Sequence, residues 1–137
     1  MLKTILFTAG VMAASVAFAY DEGKVEKMPP ESPFVQVSEV LPLPAFLPGL
    51  GTLFVDPDTL PAGPFLGYDH DGKLSATIYM IPLGELEKGV AYDDLDVGLH
   101  EVTSVDVYYN AGHPGVEVPH AHVVLYHDAG AEERLAK

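Results

Sequence analysis

Between residues 73 and 81 apolar and polar side chains alternate one by one: Leu74, Ala76, Ile78 and Met80 fall on one face, Lys73, Ser75, Thr77 and Tyr79 on the other. A period of two marks a half-buried β-strand. A shorter β-rich run at residues 65–68 precedes it, and Asp69-His70-Asp71-Gly72 between them reads as a hairpin turn. Two further runs, residues 102–109 and 118–127, are joined by a Gly- and Pro-containing loop and are expected to pair antiparallel. Upstream, residues 34–40 predict an edge strand running into irregular chain, because Pro42, Pro44 and Pro48 keep the apolar residues around them out of a helix. Residues 51–55 predict another short strand, followed by a turn at Asp56-Pro57-Asp58-Thr59, where proline presets φ at the second position. Helical signals are confined to a turn opened by Pro82 and closed by Gly89, and to a second one at the C-terminus. Five or six short strands in a proline- and glycine-rich chain predict an all-β fold, a small sandwich or barrel of short antiparallel strands with at most one or two short helical turns.

The N-terminus departs from this pattern. Lys3, an apolar run over residues 5–14 and the small-residue signature Ala17-Phe18-Ala19 predict a secretory signal peptide over residues 1–19, cut before Tyr20. The run is shorter than the roughly 18 to 20 residues that cross a bilayer, so no membrane span is expected after processing. Residues 20–33 are polar and end in prolines, which predicts a flexible or extended arm, and residues 34–137 form the single β-rich domain. The expected location is the periplasm or the extracellular medium.

Removing residues 1–19 takes 137 residues to 118, and leaves six Lys and Arg against twenty Asp and Glu, a net charge of −14 (6 less 20). The scattered cations make nucleic acid a poor partner, since phosphate binding relies on clustered Lys and Arg. There is no cysteine, which excludes thiol ligands, disulfides and lipid attachment at a cysteine. Stability must then come from packing, a bound metal ion or assembly. Exposed strand edges such as residues 34–40 predict a homo-oligomer.

Five of the six histidines lie between residues 100 and 127, four of them in GHPGVEVPHAHVVLYH at residues 112–127. His120 and His122 are two apart, so on a strand both imidazoles leave one face with their Cα atoms about 6.6 Å apart, close enough to share an ion. Val124 and Tyr126 share that face. Ala121, Val123, Leu125 and His127 take the other, which makes His127 a candidate surface residue. His113, in the preceding loop, is the natural third ligand, with Glu117 and His100 in reserve. Such an H-x6-H-x-H set keeps a position open for water, as catalytic zinc sites do, and imidazole suits zinc, copper and nickel alike. The lack of cysteine, and of methionine in this region, argues against a site specialised for Cu(I). Binding should weaken as pH falls through the imidazole range near roughly 6.5. Equally, these histidines could organise a loop or a subunit interface through hydrogen bonds alone. His70, between Asp69 and Asp71, reads as a solvated turn residue.

The stretches GPFLGYDHDGKLSATIYMIPLGEL at residues 63–86 and VDVYYNAGHPGVEVPHAHVVLYH at residues 105–127 resemble a small secreted bacterial family of unknown function, typified by a sigma-E-controlled Thermus protein. The family pattern of a Gly-His pair, a Pro-His pair and a terminal tyrosine matches Gly112-His113, Pro119-His120 and Tyr126. Relatives with aspartate in place of His122 and histidine in place of Val124 imply a ligand set that changes on one polar face. The resemblance implies a β-rich domain that assembles into a homo-oligomer, and implies no enzymatic activity. The H-x-H pair is also similar to the first cupin motif, but Tyr126 or His127 stands where the cupin glutamate would, and Gly115 is one residue too close. Three readings follow: a metal-binding β-domain, a non-catalytic envelope or stress-response protein with structural histidines, and a cupin-like metal-dependent enzyme.

Overall fold

Strand pairing dominates the computed structural model, which describes residues 22–97 and 101–137. Residues 1–19, where the signal peptide is expected, and His100 lie outside the described residues. Six strands, β1 (Val35–Gln36), β2 (Thr52–Val55), β3 (Phe65–Tyr68), β4 (Leu74–Pro82), β5 (Ser104–Asn110) and β6 (His120–Tyr126), form one sheet in the order β1-β2-β3-β4-β6-β5. Every neighbouring pair is antiparallel. The all-β fold of short antiparallel strands is therefore borne out, including the β3–β4 hairpin and the pairing of the last two strands. Single helical turns accompany the sheet: α1 (Glu22–Val25), α2 (Val37–Val40), α3 (Leu83–Glu87) and α4 (Ala131–Leu135). No helix among the described residues is long and apolar enough to cross a membrane.

On one face, Val55, Phe65, Ile78 and Val124 form the main core with Ala131 and Leu135 of α4. These two lie four residues apart on one side of the helix, which docks it. Two smaller clusters, around Leu66 and Tyr68 and around Tyr79 and Ile81, cover the opposite face.

Two expectations need correction. β4 is not half-buried; all nine of its residues are buried. Its polar face finds internal partners in place of water: Ser75 Oγ bonds the Asp69 carboxylate at 3.3 Å, Thr77 Oγ1 bonds His127 Nε2 at 2.7 Å, and the Tyr79 hydroxyl donates to the Asp96 carbonyl at 2.7 Å. A register shift between Gly67 and Tyr68 also moves Leu74 off the face of Ala76, Ile78 and Met80, into the cluster of Phe54, Leu66 and Tyr68. Second, the edge strand predicted over residues 34–40 is two residues long. The chain then turns helically, and that turn sets Val37 and Leu41, four apart, against the main core. The arm packs on the sheet over residues 25–28: Val25 is buried, Tyr68 Oη donates to its carbonyl at 2.5 Å, and Met28 N–H donates to the Gly72 carbonyl at 2.9 Å.

Arg134 locks α4 to the β3–β4 turn. Its Nε donates to Asp69 at 2.8 Å, while Nη1 and Nη2 reach the two oxygens of Asp128 at 2.7 and 2.8 Å. Burial raises the pKa of Asp69, but backbone N–H groups of Lys73 and Asp71 and the Arg134 guanidinium outweigh it and hold the carboxyl below its usual range. Arg134 holds Asp128 lower still. Carboxyls depressed in this way stabilise the fold above their unfolded pKa, and the contribution is lost as pH falls below about 4. Arg134→Ala is expected to lower stability by about 2 kcal/mol at neutral pH, through lost charge-assisted hydrogen bonds. Urea unfolding checks it, and the variant should also lose less stability than the wild type below pH 4.

Candidate metal centre

Two segments bring the histidines together. His120 and His122 lie on β6 between two partner strands, His120 opposite Pro82 and Asn110, His122 opposite Met80 and Tyr108. Strand parity sends both side chains to the main-core face, where they are 0% and 4% exposed. His113 starts a tight turn, His113-Pro114-Gly115-Val116, closed by reciprocal backbone bonds of 2.9 and 3.0 Å. Gly115 sits at φ +91°, where a side chain would be strained and its Cβ would strike Leu41. Val116 is buried in the main core. The turn is thus pinned at its far end, and His113 is held over β6.

The three Nε2 atoms converge. They stand 2.9 Å apart between His120 and His122, 3.1 Å between His113 and His120, and 3.3 Å between His113 and His122. A tetrahedral ion with metal–nitrogen bonds of about 2.0 to 2.1 Å sets its ligand nitrogens about 3.3 Å apart, so the triad needs only tenths of an ångström of adjustment. A point about 2 Å from all three would lie about 1 Å off their plane.

The outer ring nitrogens fix the protons. Nδ1 of His120 is 2.7 Å from the Val118 carbonyl, and Nδ1 of His113 is 3.0 Å from the Pro114 carbonyl. A carbonyl only accepts, so both Nδ1 atoms carry the hydrogen, and in the neutral rings both Nε2 atoms present lone pairs. Those lone pairs meet at 3.1 Å with no proton between them. His122 Nδ1 is 3.3 Å from the Tyr108 hydroxyl, and when it donates there, all three lone pairs point to one place. This is the outer-ring support that metal-ligating histidines have. Protonation is opposed: burial, then the neighbouring His120 and His113, push the His122 pKa down to about 4. Burial also lowers that of His120, more than the Val118 carbonyl raises it.

The three histidines form a group whose ligand atoms all lie within 4.8 Å of one another, and it could hold a metal ion. Glu117 is exposed and outside this group. His127 is not at the surface: it is 8% exposed, bonded to Thr77 on one side and to the Glu101 carbonyl at 2.9 Å on the other. His70 is exposed, stacks on Phe46 and bonds the Lys137 carbonyl. Two neighbours were invisible as sequence. Tyr108 supports His122, and Met80 faces it across the sheet although no methionine is near in the chain. Beside the triad, residues 41–50 and the sheet line a mostly apolar, partly open cavity of about 300 Å³, with His113 and His122 in its wall.

Among the described residues, fold and site define a small all-β domain with a largely buried three-histidine cluster on one face of a single sheet, where a cupin would have a two-sheet jelly roll. The chain is similar to the hypothetical protein TTHB210 from Thermus thermophilus, whose crystal structure aligns at a TM-score of 0.60 and 39% identity, over 69% of this chain and 94% of that one. The chain belongs to the family of that Thermus protein. No protein-family model matches it, and neither does any curated protein.

Proposed function

We propose that the protein is an exported β-domain that binds one divalent transition-metal ion through His113, His120 and His122, with a fourth position left to water or another ligand. The observation that carries this reading is the 3.1 Å approach of the His113 and His120 Nε2 atoms, with a carbonyl behind the Nδ1 of each ring. A buried cluster held by hydrogen bonds alone would place a proton between its nitrogens; a cation removes the conflict. Zinc, copper and nickel all suit three imidazoles. Elemental analysis of protein purified without a polyhistidine tag tests it. About one ion per chain is expected, as for a three-histidine site with an open fourth position; metal-free protein that takes up none of the three ions contradicts it.

Export rests on Ala17-Phe18-Ala19 and fits the resemblance to a secreted, sigma-E-controlled family. Protein recovered outside the cytoplasm should begin at Tyr20, as N-terminal sequencing would read; Met1 on that material contradicts export by cleavage.

The same reading includes a homo-oligomer, through a different edge from residues 34–40. β5 is a seven-residue edge strand, and Val105, Val107 and Tyr109 are 49%, 67% and 63% exposed on the face away from the histidines. A long apolar edge favours pairing with another chain. Light scattering at micromolar concentration should give a multiple of the chain mass, reduced by Val107→Lys. A wild-type mass of one chain contradicts assembly.

A further inference from the structure

The cavity beside the triad has two kinds of lining. Leu43, Leu53 and Phe65 are among its apolar residues, and His113, His122 and Tyr108 supply polar groups. The described residues that line it include no charged side chain. An ion held by three neutral imidazoles keeps its full positive charge, and beside a mostly apolar wall that charge favours an anionic oxygen ligand over water. His120 is fully buried, and the outer nitrogens of all three rings contact Pro114, Val118 and Tyr108 in place of one another. Of the three ligands, His113 and His122 line the cavity and His120 does not, so a ligand in the cavity has access to the ion through that wall.

Size narrows the ligand. At about 30 Å³ per water-sized group, 300 Å³ holds roughly ten non-hydrogen atoms. Small-molecule sites of this size are mostly apolar with a few polar groups that fix orientation. The chain's net charge of −13 opposes an anion at long range, but salt screens it beyond about 8 Å, inside which the ion dominates.

We propose that this cavity binds a medium-chain carboxylate, with the carboxylate on the ion held by His113, His120 and His122 and the hydrocarbon chain against Leu43, Leu53 and Phe65. The inference rests on the metal reading above. Octanoate, with ten non-hydrogen atoms, is the probe; acetate tests the head alone and octanol the tail alone.

Calorimetry on the zinc-loaded and metal-free protein provides the test. Zinc-loaded protein should bind octanoate at least about tenfold more tightly than it binds acetate or octanol, and at least about tenfold more tightly than metal-free protein does, a difference of about 1.4 kcal/mol in each case. Leu43→Trp, which fills the cavity from a partly buried wall, should keep zinc uptake and lose the preference for octanoate over acetate. Normal zinc uptake with octanoate no better than acetate overturns this inference and leaves the metal site standing. Octanol binding as tightly as octanoate overturns the carboxylate–metal contact. Failure of the wild type to take up zinc overturns both.

Discussion

Zinc at a hundredfold excess over its dissociation constant is expected to stabilise the domain by about 2.7 kcal/mol, because it binds the folded chain and not the unfolded one. For a domain of this size, that is a rise in melting temperature on the order of 10 °C. Changing a residue that merely supports a metal ligand weakens binding 10- to 100-fold in typical sites, and removing a ligand costs more. A hundredfold loss would already cut the gain at the same zinc concentration to about 0.4 kcal/mol. His122→Ala should therefore show almost no zinc-dependent shift. Tyr108→Phe, which removes the oxygen behind His122 Nδ1, should show an intermediate one. His70→Ala should respond like the wild type, since His70 lies in the turn before Leu74, at the far end of β4 from Met80 and Pro82. Melting curves with and without zinc, copper or nickel provide the comparison; equal shifts in wild type and His122→Ala would leave these histidines a structural role only.

Metal-free protein is expected to lose stability between about pH 6.5 and 4, well above the range in which Asp69 and Asp128 protonate. His122 has its pKa lowered from 6.5 to about 4 by burial and by its two histidine neighbours. In that window the unfolded chain takes up a proton at this side chain and the folded chain does not, so acidification favours unfolding. The slope is about 1.4 kcal/mol per pH unit, reaching on the order of 3 kcal/mol by pH 4. His120, lowered as well, acts in the same direction. Urea unfolding at successive pH values measures the slope, and His122→Ala should flatten it. Both rings remain deprotonated below the ordinary imidazole range, so zinc uptake should persist to lower pH than free histidines would allow. A metal-free stability profile that is level from pH 7 to 4 would contradict the burial of a neutral His122.

Much of the triad was legible because strand parity is local. Two histidines separated by one residue on a strand must share a face, and a Pro-Gly turn six residues upstream can fold a third back over them. The supporting residues were not legible, because register is not local. Tyr108 and Met80 meet His122 only through the pairing of β6 with β5 and β4. Alternation at residues 73–81 showed which side chains share a face of β4, but not what covers each face. Ser75, Thr77 and Tyr79 looked solvent-facing because their partners, Asp69, His127 and the Asp96 carbonyl, lie elsewhere in the chain. The same cause put His127 at the surface in the sequence reading. The prolines in residues 41–50 correctly excluded a long helix, yet nothing in their spacing disclosed that Leu41, Leu43, Leu47 and Leu50 wall a cavity beside the histidines.

The central claim is that His113, His120 and His122 hold one ion, and anomalous diffraction from crystals of zinc-loaded protein at the zinc edge tests it most directly. The account predicts an anomalous peak within about 2.1 Å of all three Nε2 atoms, with at least one further position open toward the cavity. A peak bound elsewhere, or none at the triad while the three rings keep their positions, would contradict it.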